Sequence, residues 1–428
     1  MVEMKQLETS PSNITCQNLP FLLSSFVDTF VDFSVSGGLF LLPQGLNPEP
    51  KSNPNFNSNS VDPKSNPNFN SNSVDPKVST TLQTIFPAPT QLVAIGDLHG
   101  DLSKAKQALR LAGLVNGEDR WCGGSSTVVQ VGDILDRGGD ELKIMYLFEK
   151  LRREAVKDGG TIITMNGNHE IMNIDGDFRF ATKEGLEEFK DWAMWYCVGN
   201  DMKKLCEGFG GPTEDPFDGI PHEFSHVKPE LLHGIRARIA ALRPEGPIAE
   251  RFLSRNQTVV VVGDSVFAHG GLLPNHVEYG LEKVNEHVRD WILGVRDNVA
   301  RELVKGKHSI VWTRKYSHEV AKHCDCSTLE YVLNTIPGAK RMIMGHTIQQ
   351  GGINGACSNR AIRIDVGMSK GCGNGLAEVL QINENSQMTI LTSNPLYQRK
   401  NETLGANLQD ELGSVIPKQG QKQVEVHA

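Results

Sequence analysis

Residues 91–100 read QLVAIGDLHG, residues 127–138 read TVVQVGDILDRG, and residues 161–170 read TIITMNGNHE. Each opens on a short apolar, β-branched run and ends in a polar cluster that carries glycine. Runs of this kind, bounded by turn residues, read as buried strands. Between them, 101–114 and 141–157 carry apolar residues at helical spacing among good helix formers. The order is βαβαβ, which implies parallel strands joined by right-handed crossovers. Ligands of such sheets gather beyond the carboxyl ends of the strands. The three polar clusters should therefore converge, although they lie far apart along the chain.

Outward from this core the pattern continues. Strand-like runs recur at 258–262, 309–312, 341–344, 361–366 and 376–382, and 266–268 leads into His269. A long helical stretch fills about 276–304. Ser327, Thr328, Leu329 and Glu330 fit a capping box opening a helix that stops at Pro337. Residues 175–257 read as a helical, loop-rich insertion. With 428 residues, 39% of them hydrophobic, the chain can build one large core plus extensions. The expected catalytic unit is 91–395, followed by a polar, flexible tail at 396–428.

Residues 51–63 read KSNPNFNSNSVDP, and 64–76 repeat them letter for letter. The unit is too polar to offset its ordering entropy, so 51–77 reads as a disordered linker behind an N-terminal extension, 1–50. Within that extension, 20–40 fits an amphipathic helix with Phe26, Phe30 and Phe33 on one face. It either docks on the catalytic unit or serves a regulatory partner or a membrane surface. The apolar run 19–42 is a poor membrane span, because Asp28 and Asp32 would sit near mid-bilayer. It is also a poor secretory leader, since Glu3 and Glu8 precede it in place of a basic region. The expected location is the cytosol, with mitochondrial import lacking a conventional presequence as the alternative.

The net charge of −8 argues against nucleic-acid and anionic-membrane partners. The eight cysteines, with no CxxC pair, do not make a disulfide framework. His323, Cys324 and Cys326 would suit a metal or redox role, or a regulatory contact. Two ordinary thiols near a helix start is the preferred reading.

The strand ends supply Asp97, His99, Asp133, Asp136, Asn168 and His169, and two later ones add His269 and His346. Carboxylate, imidazole and amide donors together suit Mn²⁺, Fe or Zn²⁺ better than Mg²⁺ or Ca²⁺ alone. The set exceeds what one ion needs, so a two-metal site with a bridging carboxylate fits. Taken singly, a strand-end Asp is usually a turn former and a lone His a hydrogen-bonded structural residue. GDxHG, GDxxDRG and GNHE in that order, each behind a strand, are a combination that chance rarely gives.

The succession GDLHG, GDILDRG, GNHE, AHGG and GH resembles the phosphoprotein phosphatase branch of the metallophosphoesterases over about 91–393. IMNIDGDFRFAT at 171–182, VWTR at 311–314 and IDVGMS at 364–369 look like the Shewanella-like protein phosphatases, a bacterial-type branch found in plants. The resemblance implies an α/β fold, a central β-sandwich of mixed sheets flanked by helices. It implies that Asp97 and His99 hold one divalent ion, that Asp133 bridges two, and that Asn168, His269 and His346 hold the second. Mn²⁺ is the first choice of metal, with Fe or Zn²⁺ as alternatives.

A metal-bridging hydroxide would then attack phosphorus directly. His169 would protonate the leaving oxygen, with Asp136 accepting its other ring proton. Arg137, together with Asn168, would bind phosphate oxygens. The second phosphate arginine is Arg314 of VWTR, with Arg179 of GDFRF as its rival. Familiar eukaryotic members bind natural-product inhibitors through an aromatic loop. Here 369–379 reads SKGCGNGLAEV, without Tyr or Phe, which implies poor inhibition.

The implied function is a protein serine/threonine phosphatase acting on phosphoproteins. The alternative is a phosphotyrosine or dinucleoside-polyphosphate hydrolase on the same two metals. A third reading is a phosphoprotein-binding pseudophosphatase, which the intact ligand positions disfavour.

Overall fold

The computed structural model describes residues 19–40, 82–204, 215–225, 227–395 and 420–423. The tandem repeat at 51–76 lies outside them. The chain begins with helix α1 (Leu19–Val35) and strand β1 (Ile85–Phe86), then enters the alternating core. That core is β2 (Gln91–Ile95), α2 (Leu102–Leu111), β3 (Thr127–Gln130), α3 (Glu141–Lys157), β4 (Thr161–Thr164) and α4 (Asn168–Ile174). Three helices follow: α5 (Lys183–Lys204), α6 (Pro229–Leu242) and α7 (Pro247–Arg251). Next come β5 (Val259–Val262), β6 (Ser265–Ala268), α8 (Pro274–Tyr279), α9 (Leu281–Ile292), α10 (Arg301–Val304) and α11 (Cys326–Thr335). The chain closes with β7 (Arg341–Met344), β8 (Asn354–Ala356), β9 (Ala361–Arg363), β10 (Glu378–Asn383), β11 (Met388–Thr392) and β12 (Gly420–Gln423).

Two mixed six-stranded sheets form. One runs β12-β11-β10-β2-β3-β4, the other β1-β5-β6-β7-β9-β8. Strands β2, β3 and β4 are parallel, with Val93 opposite Val128 and Val128 opposite Ile162. Their near-continuous apolar runs suit strands buried on both faces. One continuous apolar cluster reaches from Val93 and Val128 to Val260 and Ile343, so both sheets share a core. A parallel bridge between Met165 and Gln257 ties the end of β4 to the approach of β5. This closes the strand ends onto each other.

The N-terminal helix docks through valines rather than through Phe26 and Phe33. Val27 and Val31 are buried against α5, where Gly199 leaves room for the Val31 side chain. Asp32 takes two hydrogen bonds from Arg251, at 2.5 and 2.8 Å. Phe30 only touches the edge of Trp195, at 5.4 Å between ring centroids, while Phe26 and Phe33 stay exposed.

Five further expectations are corrected. The run 309–312 is a turn, because Gly270 and Gly271 N–H both donate to the Ile310 carbonyl and Thr313 N–H to Ser309. Its backbone is spent on local loops and never reaches a strand. The stretch 276–304 is three helices, broken at Gly280 and Gly294, which adopt φ of +99° and +65°. Helix α11 is capped by Asp325, which accepts from Thr328 N–H, and not by a box at Ser327. The C-terminal tail returns at 420–423 as an edge strand antiparallel to β11. Finally, Cys326 is no free thiol: it is disulfide-bonded to Cys357, 31 residues away, while Cys324 is buried and free.

Candidate metal centre

The glycine-bearing turns bend the chain sharply at the strand ends. His99, Asp133, Asp136, Arg137 and His346 all take positive φ, between 41° and 69°. L-residues rarely adopt this region, and they cluster there where surrounding structure enforces it at a working site. Gly167 and Gly345 are required for another reason. A Cβ on Gly167 would strike the Asp133 carboxylate, and one on Gly345 would strike that of Asp97.

The expected donors converge. The Asp133 carboxylate lies 3.2 Å from His269 Nε2, 3.6 Å from His99 Nε2 and 3.9 Å from His169 Nε2. His269 Nε2 is also 3.0 Å from Asn168 Oδ1. The Asp97 carboxylate accepts from His346 N–H at 3.1 Å. Asp133, His269 and His346 offer ligand atoms within one ion's reach, as do His99, Asp133 and His169. The rings are held from behind. His99 Nδ1 meets the Leu135 carbonyl at 3.0 Å, and His269 Nδ1 meets that of Val131 at 2.9 Å. With Nδ1 donating, Nε2 presents its lone pair to the cluster.

The electrostatics fit cations. Burial, with repulsion from Asp365 and Asp133, pushes the Asp97 carboxyl well above its usual range. Burial likewise raises Asp365, to about 6. Burial lowers His99 to about 4 and, with repulsion from His269 and Arg314, His346 to about 2. Asp133 behaves differently. Burial opposes its charge, but His269 and His169 outweigh this and hold it well below the carboxylate range. Burial opposes charge on His269, but Asp133 raises its pKa overall. Crowded buried carboxylates beside His99 and His346, both kept neutral, form a donor set that divalent cations would stabilise.

A separate pair stands beside the cluster. His169 Nδ1 is 2.6 Å from Asp136 Oδ2, and Asn173 donates to the same oxygen at 3.0 Å. Burial works against charge on His169, but Asp133 and the Asp136 hydrogen bond raise its pKa overall. Arg137 reaches His169 Nε2 at 3.3 Å and Cys372 Sγ at 3.3 Å, with its guanidinium 5.2 Å from the Phe180 ring centroid. Among the described residues, its buried Nε has no hydrogen-bond partner. Arg314 stands at the rim, donating to the His346 carbonyl at 3.0 Å and to Thr347 at 2.7 Å. Arg179 is exposed and paired with Asp177 at 2.6 Å.

Sequence reasoning missed four supports. The Glu170 carboxylate accepts from the N–H groups of Gly167, Asp133, Ile134 and Leu135 at 2.7–3.0 Å, pinning GDILD to GNHE. Asp365 was quoted only as part of a flank, yet it lies beside Asp97. Arg238 and Glu141 are fully buried and bonded to each other at 2.7 and 2.9 Å, and Arg238 reaches Asp136. The glutamate of GNHE was a visible signal for Glu170. Nothing local marks Arg238.

Two mixed sheets with histidines and carboxylates at their strand ends are the layout of a metal-binding phosphoesterase. The family model of the calcineurin-like phosphoesterases matches residues 90–350. Within that class the chain belongs to the Shewanella-like protein phosphatases. It is 56% identical, over 98% of its length and 99% of the relative's, to Shewanella-like protein phosphatase 2 of Arabidopsis thaliana. Shewanella-like protein phosphatase 1 of Plasmodium berghei is 27% identical, over 65% of this chain and 67% of that one. Among solved structures, the cold-active protein tyrosine phosphatase of a psychrophilic Shewanella species shares the fold. It has a TM-score of 0.51 and 19% identity, covering 73% of this chain and 80% of that one. The chain is thus a phosphoesterase of the protein phosphatase type with candidate ligands for two metals. Among the described residues, no helix is long and apolar enough to cross a membrane.

Proposed function

We propose that the chain is a metal-dependent protein serine/threonine phosphatase that hydrolyses phosphomonoesters of phosphoproteins. The observation that carries this is the acid pair, His169 bonded to Asp136 at 2.6 Å with Nε2 turned toward the metal cluster. A departing serine or threonine oxygen needs a proton, whereas a phenolate needs one far less. A buried imidazolium whose Nδ1 proton is held by Asp136 suits the poorer leaving group. Likeness to a relative named as a protein phosphatase supports the same reading.

In this reading Asp97 and His99 would hold one divalent ion, Asn168, His269 and His346 the other, and Asp133 would serve both. Two such ions, Mn²⁺ first and Fe or Zn²⁺ as alternatives, would acidify water and offset charge on the phosphoryl oxygens. Arg137 and Asn168 orient the phosphate, and Arg314 is the second arginine in preference to Arg179, which Asp177 already holds. His169 gives its Nε2 proton to the leaving oxygen, while Asp136 keeps the Nδ1 proton in place. The catalytic unit is 91–395, with 175–257 inserted and α1 docked on that insertion. The disulfide favours an oxidising compartment over the cytosol.

The test is a panel of phosphoserine, phosphothreonine and phosphotyrosine peptides with diadenosine tetraphosphate, run beside an aryl phosphate. Phosphoserine and phosphothreonine peptides should lead, and Asp133→Asn should abolish turnover. Activity confined to phosphotyrosine or to the nucleotide would overturn the substrate class. Absence of all turnover with metals bound would favour a binding module.

A further inference from the structure

A groove of about 730 Å³ opens beside the metal centre, between the segment 171–180 and the segment 301–314. That volume is ample for a ligand of several residues. Phe180 and Arg314 form its end at the metal cluster. The Phe180 ring is 5.1 Å from the ring of His169, and Arg314 bonds the His346 carbonyl.

The wall is basic. Arg179, Arg301, Lys305, Lys307 and Arg314 line it, against the carboxylates of Asp175 and Asp177 alone. Both carboxylates are already matched, Asp177 by Arg179 and Asp175 by Lys305, each at 2.6 Å. Arg314 bonds the neutral oxygens of His346 and Thr347, faces the carboxylates of Asp365, Asp97 and Asp133, and is already assigned to the phosphate. Arg301 and Lys307 are exposed and form no ion pair among the described residues. Two positive charges therefore remain unmatched beside the site, on a chain whose net charge is −8. The groove runs against the average of the surface, which is what electrostatic selection of an anion requires.

We propose that this groove is a substrate subsite that selects acidic residues flanking the phosphorylated one. The inference rests on the phosphoprotein phosphatase reading and names the class of substrate within it. Each exposed charge pair contributes little, and the two together give a preference of up to about tenfold at low salt.

The experiment compares kcat/KM for two phosphoserine peptides that differ only in glutamate or lysine at the flanking positions, using the full-length, metal-loaded protein. The glutamate peptide should lead by about tenfold, and added salt should shrink the ratio. The double variant Arg301→Glu, Lys307→Glu should erase or invert the ratio, and Arg301→Ala and Lys307→Ala should each reduce it. A ratio read within one enzyme does not depend on how much of a variant is correctly folded. Equal kcat/KM for both peptides overturns the proposal, as does a ratio unmoved by the charge reversal. If charge reversal weakens diadenosine tetraphosphate hydrolysis and leaves the peptide ratio alone, the groove belongs to a polyphosphate and the proposal fails. If neither peptide is turned over while an aryl phosphate is, the phosphoprotein reading falls, and this subsite with it.

Discussion

Arg238 Nη2 lies 2.9 Å from Asp136 Oδ1, so a helix of the insertion holds the carboxylate that orients His169. Both side chains are fully buried. Arg238 also bonds Glu141 and, at 2.7 Å, Asn173, whose amide supports the other Asp136 oxygen. Every oxygen of the carboxylate is thereby occupied, and the insertion is wired to the acid pair.

Arg238→Met should consequently impair proton delivery more than phosphate binding. A phosphoserine peptide should lose about 10²-fold in kcat, while p-nitrophenyl phosphate, whose leaving group needs little acid help, should lose far less. KM for both should move little. Removing one partner of a buried pair also costs about 3–5 kcal/mol of stability, so kinetics are read well below the unfolding transition. Equal losses for both substrates would reduce Arg238 to a structural role.

Metal content should follow the ligand set. Protein loaded with Mn²⁺ should carry about two ions per chain, and Asp133→Asn should lose occupancy most because that carboxylate serves both positions. His346→Ala should lose about one. Elemental analysis reads the stoichiometry, and thermal unfolding with and without chelator reads the linked stability, about 2.7 kcal/mol at a hundredfold excess over Kd. Full occupancy in Asp133→Asn would contradict the shared centre.

His276 is a pH-dependent support remote from the metals. Its Nδ1 accepts from Leu273 N–H at 3.0 Å and its Nε2 meets the Glu302 carbonyl at 3.1 Å. Burial lowers it from 6.5 to about 4, partly countered by the Glu302 carbonyl and carboxylate. A depressed folded pKa means that the unfolded chain binds the extra proton first. The contribution is present above pH 6.5, is lost as pH falls toward 4, and amounts to roughly 3 kcal/mol. Denaturant melts at pH 7 and 4.5 should show it. His276→Gln can keep the capping acceptor without titrating, and should flatten that part of the profile.

The Cys326–Cys357 bond closes a loop across 31 residues, tying the first residue of α11 to the turn between β8 and β9. In the chain-entropy view such a loop contributes about 3–4 kcal/mol. Cys357→Ser should lower the unfolding midpoint, and non-reducing peptide mapping of the unmodified protein should recover the two cysteines on one cross-linked fragment. Recovery of both as free thiols would remove the basis for placing the chain in an oxidising compartment.

Much of the core was readable because its signal is local. The runs before GDLHG, GDILDRG and GNHE became β2, β3 and β4, since uninterrupted β-branched residues leave few alternatives to a buried strand. The run at 309–312 failed because apolarity alone does not supply a partner strand, and the neighbouring AHGG loop claimed the Ile310 carbonyl. The spacing of Phe26, Phe30 and Phe33 pointed to the helix but left its partner open. The contact falls on Val27 and Val31, which pack on the bare backbone of Gly199 in α5, and nothing within α1 could reveal that.

The sequence by itself determined which candidate donor residues would converge, and their order along the chain. Each donor sits directly behind its own strand, so a covalent neighbour fixes where it emerges. Tertiary structure alone decided what steadies those donors. Arg238 reaches Asp136 across 102 residues, Cys326 finds Cys357, and Asp365 crowds Asp97. These partners belong to elements with no shared period or motif. Only burial of the two sheets and the insertion against one another brings their charges within bonding distance.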